Sequence, residues 1–333
     1  MITPRPVDSP SGALLYSVLA LLLPLATAPP ALGQDVDTGW LDERSYAEVG
    51  FVYGFETDVD DGEFDTVGGF GRALVAMDFT EDLTLLSFGS YYGLDYTFDD
   101  RPTISNMSVD PWDTVHSARL YPVLELAVAE NWYVFAAPVI EVAFENSAAI
   151  EDGIKPGALA GFRVELSDEL MLGLGVVAVD DLEADAYVQP ILLADWNPHE
   201  QFSVHAESWT TRGGELDIAY RPIGWLELAA RAEWRRERFR LSESNVFPAP
   251  NMPVSQPGSE GVGEDRALEV GVRVSHTLQA DWVTEALGQV RIDLEAGAAV
   301  AGRLKVESDG NNTLFKESYD PAPFVGLNIS LAL

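Results

Sequence analysis

The stretch NWYVFAAPVIEVAFE at 131–145 decides the fold. Trp132, Val134, Ala136, Pro138, Ile140, Val142 and Phe144 form one set, while Asn131, Ala137, Glu141 and Glu145 fall in the other. A β-strand sends successive side chains to opposite faces. The segment is therefore greasy on one side and small or charged on the other.

Working outward, the same split recurs along the chain. In 46–56, Ala47, Val49, Phe51, Tyr53 and Phe55 oppose Glu48, Gly50, Gly54 and Glu56. In 83–98, Leu86, Phe88, Tyr92, Leu94 and Tyr96 face one way, and Ser87, Gly89, Tyr91, Gly93 and Asp95 the other. In 225–235, Leu226, Leu228, Ala230, Ala232 and Trp234 oppose Glu227, Arg231, Glu233 and Arg235. In 290–300, Ile292, Leu294, Ala296 and Ala298 oppose Arg291, Asp293, Glu295 and Gly297. The chain closes with Val325, Leu327, Ile329, Leu331 and Leu333 against Gly326, Asn328 and Ser330.

About fourteen strands are read this way, with 12–16 as the range. They are 46–56, 66–79, 83–96, 113–128, 131–145, 155–167, 169–179, 185–196, 200–209, 214–222, 225–240, 266–278, 286–302 and 322–333. The segment 169–179 is apolar on both faces. Gaps after every second strand are short: 80–82, 130, 168, 197–199, 223–224 and 279–285. Among the others, 57–65, 98–112, 146–154, 241–265 and 303–321 are long, whereas 180–184 and 210–213 are not. Short turns on one side and long loops on the other describe an up-and-down antiparallel barrel in an outer membrane, with both termini on the periplasmic side. Aromatic residues fit two interfacial belts. Trp132, Trp196, Trp225 and Trp282 lie by short turns, and Trp112, Trp209, Phe55, Tyr96 and Phe144 by loop ends. By parity, Trp209 and Trp225 point inward.

Composition limits the alternatives. Asp and Glu number 54 against 20 Lys and Arg, a net charge of −34 that repels phosphate and argues against nucleic acid as a partner. With no cysteine, disulfides, thiolate metal sites and cysteine nucleophiles are excluded, and four His leave little for zinc. No cofactor is expected. Arg5, the apolar run ALLYSVLALLLPLA at 13–26 and Ala31-Leu32-Gly33 read as a secretory signal over 1–33. The run falls short of the roughly 20 residues a helical span needs, so an N-terminal anchor is the weaker alternative. Residues 34–45 form a short periplasmic segment, too short for a plug, and 46–333 form the barrel.

LDIAYRP at 216–222 followed by Leu226-Glu227-Leu228 resembles the strand, tight turn, strand units of bacterial outer-membrane β-barrels of the porin-like kind. Gly302-Arg303-Leu304 with YDPAPFVGL at 319–327 is similar to a family of such barrels of unknown function. The resemblance covers about residue 46 onward and is architectural. It implies an outer-membrane lipid environment and a barrel-insertion machinery as partners. Leu333 stands where such barrels usually end in an aromatic residue.

Roughly fourteen strands enclose more space than interior side chains can fill. Inward faces rich in Gly, Ser, Ala and charge suit water. The lumen-lining set is Glu48, Asp95, Glu125, Glu141, Glu165, Glu207, Asp217, Glu227, Arg231, Glu233, Arg235, Glu269, Arg273, Arg291, Asp293 and Glu295. The arginines gather late, which suggests either a basic stripe facing acidic walls or cross-strand ion pairs that fill a closed lumen. Two other constellations bear on chemistry. Asp58, Asp60, Asp61 and Glu63 offer carboxylates to Ca²⁺, one residue short of D-x-D-x-D-G spacing, against a plain solvated hairpin tip. Ser203, His205 and Glu207 share a strand face, but residues two apart stand about 6.5 Å from one another, too far for a nucleophile and its base. The long loop 241–265, with four prolines, either folds into the lumen or stays outside. The expected function is passive diffusion of small polar solutes with weak cation preference. The alternatives are a closed barrel displaying loops for adhesion and, less favoured, a lipid hydrolase.

Overall fold

A computed structural model describes residues 45–59, 62–99, 103–104, 107–108, 110–182, 186–210, 213–242, 261–278, 289–308 and 312–332. Residues 1–44, which include the expected signal segment, with Asp60, Asp61, most of the loop 241–265, Trp282, Leu333 and the side chain of Trp209, lie outside the described residues.

The strands are β1 Ser45–Val59, β2 Gly62–Thr80, β3 Leu83–Asp99, β4 Thr103–Ile104, β5 Met107–Ser108, β6 Val115–Ala129, β7 Trp132–Glu145, β8 Ile154–Ser167, β9 Leu170–Val179, β10 Tyr187–His199, β11 Phe202–Thr210, β12 Gly213–Ile223, β13 Leu226–Arg240, β14 Val262–Thr277, β15 Gln289–Glu307, β16 Thr313–Tyr319 and β17 Ala322–Ala332. β4 and β5 form a separate small hairpin. β16 and β17 are two halves of one strand, broken at Asp320 and Pro321, so the barrel wall has fourteen strands. Each pairs antiparallel with its chain neighbour, and β17 meets both β15 and β1. The wall therefore closes on itself, as hydrocarbon requires of any β-structure that spans it.

Tyr46 pairs with Ala332, so the first and last wall strands begin and end at the short-turn rim, the periplasmic end in this class of barrel. One turn there, between β6 and β7, places Asn131 at φ 61°. Asn tolerates this left-handed conformation and β-branched residues do not. Asn131→Val should lower barrel stability by about 1–2 kcal/mol, read from the denaturant midpoint in detergent, with Asn131→Gly near neutral.

The greasy faces do look outward over most of the wall. Phe51, Ile140 and Leu228 are 50%, 47% and 43% exposed, while Glu141 is 1% exposed inside. Trp132 and Trp196 are exposed by short turns, as one aromatic belt requires, while Trp225 is exposed at the rim of the cavity. The second belt is only partial. Phe55 is exposed, but Trp112 and Tyr96 are buried inside the barrel.

β3 reverses the expected orientation. Leu86, Phe88, Leu94 and Tyr96 are buried inward, and Asp95 is exposed on the outer side, where it accepts a hydrogen bond from Thr114. The cause is what lies across the interior. Leu86 and Phe88 join an internal apolar cluster with Leu74, Tyr121, Val123, Phe135, Val139, Leu159, Val177, Ile191 and Leu193. The inward faces of β3 and β6–β10 thus share an apolar patch beside the charged groups of β6–β8, against the expectation of a uniformly hydrated interior. The same cluster explains why 169–179 is greasy on both sides: Val177 and Val179 pack inside while Leu174 and Val176 meet lipid.

The strands run further than expected at the loop end. Instead of a loop over 57–65, Thr57 pairs with Phe64 and Val59 with Gly62. β14 already starts at Val262, and β15 continues to Glu307 before β16 takes up the pairing. Three wall strands carry an irregularity near one level. β1 shifts register between Gly54 and Thr57, β15 does so by Ala301 at φ 52°, and the last strand breaks at Asp320 and Pro321. An extra residue switches which side chains point inward and adds bend and twist. Above these points Val59, Leu304, Val306, Phe315 and Tyr319 turn inward.

The bend has a topological result. Strands β8–β12 stop low, and β13 leans across to pair in parallel with β7, Arg240 opposite Phe144. The tall strands β13, β14, β15, β16, β1, β2, β3, β6 and β7 thereby close a narrower upper ring. Its interior is packed with Val59, Phe64, Leu94, Tyr96, Trp112, Phe239, Leu241, Leu304 and Val306.

Candidate functional site

The lumen is defined by three stacked zones. Lowest is a cavity of about 1350 Å³, lined near its rim by Asn197, His199, Trp225, Thr277 and Gln289. Its walls come mainly from β1, β2, β11–β15 and β17. Among the described residues, eleven carboxylates and six arginines line it, with no lysine.

Those arginines are held by neighbouring carboxylates. Arg231 reaches Glu233 at 2.8 Å on its own strand, Glu215 at 3.0 Å on β12 and Glu295 at 3.1 Å on β15. Arg273 joins Asp217 at 2.9 Å and Glu227 at 3.2 Å. Arg291 bonds Asp293 at 2.7 Å and Glu227 at 2.8 Å. Arg221 adds a third guanidinium to Glu227 at 2.7 Å, and Arg72 holds Glu48 at 2.5 Å. Arginine suits this role because its planar fork serves several carboxylates at once. The cross-strand pairing arrangement is therefore the one formed, and it still leaves carboxylates in excess.

Above the cavity lies a polar layer. Arg235 bonds Asp265 at 2.9 Å and Glu269 at 2.7 Å, and Asp265 also accepts from Tyr96 and Tyr319. The apolar core of the upper ring sits above it, toward the loop end. Glu125 and Glu165 are placed elsewhere, on the β6–β8 wall, each 2.7 Å from Arg163. Glu141 lies among Tyr121, Arg119 and Lys155. Glu207 faces the cavity beside His205, and Asp95 alone of the sixteen expected lumen residues is on the outer side.

Sequence reading passes over Arg72, Arg119 and Arg163, buried or half-buried partners of the expected carboxylates, and Asp265, the buried partner of Arg235. A signal exists for the first three. Each has the parity of an expected lumen carboxylate on its own or the adjoining strand.

His205 pairs through Nδ1 with Asp195 at 2.8 Å and through Nε2 with Glu207 at 3.5 Å. Both ring nitrogens face carboxylates, so neither is directed at Ser203. The Asp58 and Glu63 carboxylates sit opposite each other on paired strands at a hairpin end.

The belt of exposed aliphatic side chains, the closed wall and the charged interior define an outer-membrane-type β-barrel. Similar solved structures include a Pseudomonas aeruginosa FadL homologue, 11% identical, covering 86% of this chain and 90% of that one at a TM-score of 0.46. An outer membrane channel from Pseudomonas putida F1 is 12% identical, with 91% and 99% covered and a TM-score of 0.40. The KdgM porin in complex with disordered oligogalacturonate is 8% identical, with 86% and 99% covered and a TM-score of 0.30. No family model and no curated protein matches the chain.

Proposed function

We propose that this protein is an outer-membrane channel for passive diffusion of small polar solutes, with a weak preference for cations, and that the state described is closed at its outer end. The cavity of about 1350 Å³ that opens at the short-turn rim carries this reading, because its lining has an excess of carboxylates over guanidinium groups. A low-dielectric wall focuses the field of such a lining onto mobile ions in the water it encloses. Residues 1–33 would direct export and be removed, 34–45 would form a periplasmic lead, and the insertion machinery and outer-membrane lipid would be the partners of the barrel itself. The chemistry of the lumen favours a conduit over an enzyme, since His205, the histidine beside Ser203, is engaged by two carboxylates.

The reading is tested by reversal potentials across a planar bilayer under a KCl gradient. The purified barrel should give a potential of the cation-selective sign. Glu207→Gln with Glu269→Gln should move it toward zero without abolishing conductance. An anion-selective sign in the parent would overturn the preference. A second reading, a closed structural barrel that displays its loops, is favoured by the packed core of the upper ring. It predicts a folded, membrane-inserted protein with no unitary conductance under any condition.

A further inference from the structure

We propose that the outer end of β13 is the gate of the channel: the segment 236–240 is latched across the mouth to β7 and to the tops of β8 and β9 by polar contacts, and conduction requires that this seam part. The inference rests on the channel reading above and adds where the closure is made and by which groups.

The first observation is a change of partner along β13. Its lower part pairs with β12 up to Arg235, opposite Gly213. Gly213 is the first residue of β12, with φ 145°, and a Cβ there would collide with the Trp234 carbonyl oxygen. Beyond this point β13 keeps β14 on one edge and, among the described residues, has no neighbouring wall-strand ladder on the other. A single residue pair, Arg240 with Phe144, takes its place.

The second observation is what holds that edge. Arg236 bonds Asp181 at 2.9 Å and Arg238 donates to the Leu182 carbonyl at 2.9 Å. Lys155 donates to the Arg238 carbonyl at 3.1 Å, and Arg240 to the Asp152 carbonyl at 3.2 Å. The Ser242 amide donates to Glu145 at 2.8 Å, and Arg119 holds Glu237 at 2.7 Å. Strand-to-strand seams elsewhere in the wall are backbone ladders. This one is held mostly by buried side chains, so removing one partner leaves its mate uncompensated.

The third observation concerns the face involved. Arg236, Arg238 and Arg240 continue the outward face of β13, on which Leu228, Ala230, Ala232 and Trp234 meet lipid lower down. Three arginines there mark the level at which that face leaves hydrocarbon. They are buried or half-buried because the tops of β8 and β9 fold onto them. The seam therefore joins two bodies, the upper ring and the low wall, and its parting would merge them into one wide mouth. A channel element with two packings separated by a small set of polar contacts is the kind of device that switches.

The protein contains no cysteine, so a cross-link can be placed without background. The double variant Phe144→Cys, Arg240→Cys is compared, oxidised and reduced, with the parent and with Asp181→Lys in single-channel recordings. Folding of each is checked by the heat-dependent shift in gel mobility. The expected result is that oxidation silences the double variant, reduction restores openings, and Asp181→Lys opens at least about ten-fold more often than the parent, the change that roughly 1.4 kcal/mol of lost coupling gives. Equal conductance of the oxidised and reduced forms overturns the gate and leaves the channel reading standing. Silence of folded parent, reduced double variant and Asp181→Lys alike overturns both. Should Asp181→Lys fail to fold, the oxidised and reduced comparison decides alone.

Discussion

Replacing Glu141 by alanine is expected to cost the barrel about 3–5 kcal/mol, because it strips a buried cation pair of its shared anion. Glu141 sits at mid-wall on β7 and is 1% exposed. It accepts a hydrogen bond from the Tyr121 hydroxyl at 2.5 Å and lies 3.4 Å from Lys155 and 3.7 Å from Arg119. Arg119 retains Glu237, but Lys155 loses its carboxylate and is left with the Arg238 carbonyl. The site joins the internal apolar cluster below to the β13 seam above, so the damage reaches both. Glu141→Gln keeps an acceptor for Tyr121 and should cost clearly less. The measurement is the denaturant midpoint of the detergent-folded barrel, followed by tryptophan fluorescence. Equal midpoints for Glu141→Ala and the parent would show that the carboxylate is hydrated, and that the interior there is open to water.

How much of this arrangement is legible in the sequence depends on how far one pattern reaches. A two-residue period reports that a strand has two unlike faces, and it reports this for nearly every wall strand. It is silent on which face looks inward. On β7 and β13 the lipid-facing assignment follows because charge cannot face hydrocarbon, so Glu141 and Arg231 fix the orientation. On β3 the first charge from the short-turn end is Asp95, near the loop end of the strand, so no charge fixes the orientation of the stretch before it. Its neighbours Ser87, Gly89 and Gly93 are small enough to stand on either side, and the aromatic and aliphatic set turns inward to fill the space opposite Tyr121 and Val139.

The apolar interior has one trace in the sequence. A barrel strand greasy on both faces, as at 169–179, has to bury one of them, and Val177 and Val179 do so. The upper ring leaves less. Its closure depends on register shifts at Gly54, Ala301 and Asp320, and none of these has a residue type that marks a bulge unambiguously. Ala301 in particular adopts a left-handed conformation without being Gly or Asn. Charge pairing follows the same logic. Arg231 spans to Glu295 across an intervening strand, a distance fixed by barrel curvature and not by spacing along the chain.

A positive charge on the lipid face should separate the membrane reading of this barrel from any soluble alternative. Leu294 is 58% exposed, and its cross-strand partners Val274 and Leu327 are each 44% exposed, so it stands in the middle of a continuous aliphatic surface. In hydrocarbon, Leu294→Arg should destabilise the barrel by about 2–4 kcal/mol, the range for arginine near the bilayer midplane. The loss should shrink when the same variant is folded in thin-bilayer lipid, where the guanidinium snorkels to an interface more easily. Ser203→Arg offers the contrast. It adds the same group to a lumen wall rich in carboxylates, and should leave the midpoint close to that of the parent. The pair of variants holds the introduced residue constant and changes only the side of the wall, so the difference between their midpoints measures what surrounds each face. Were both midpoints unchanged, the exposed aliphatic belt would be facing water and the barrel would not span a membrane. Were Ser203→Arg the more damaging, the cavity would be drier than its lining implies and diffusion of polar solutes through it would have no hydrated path to follow.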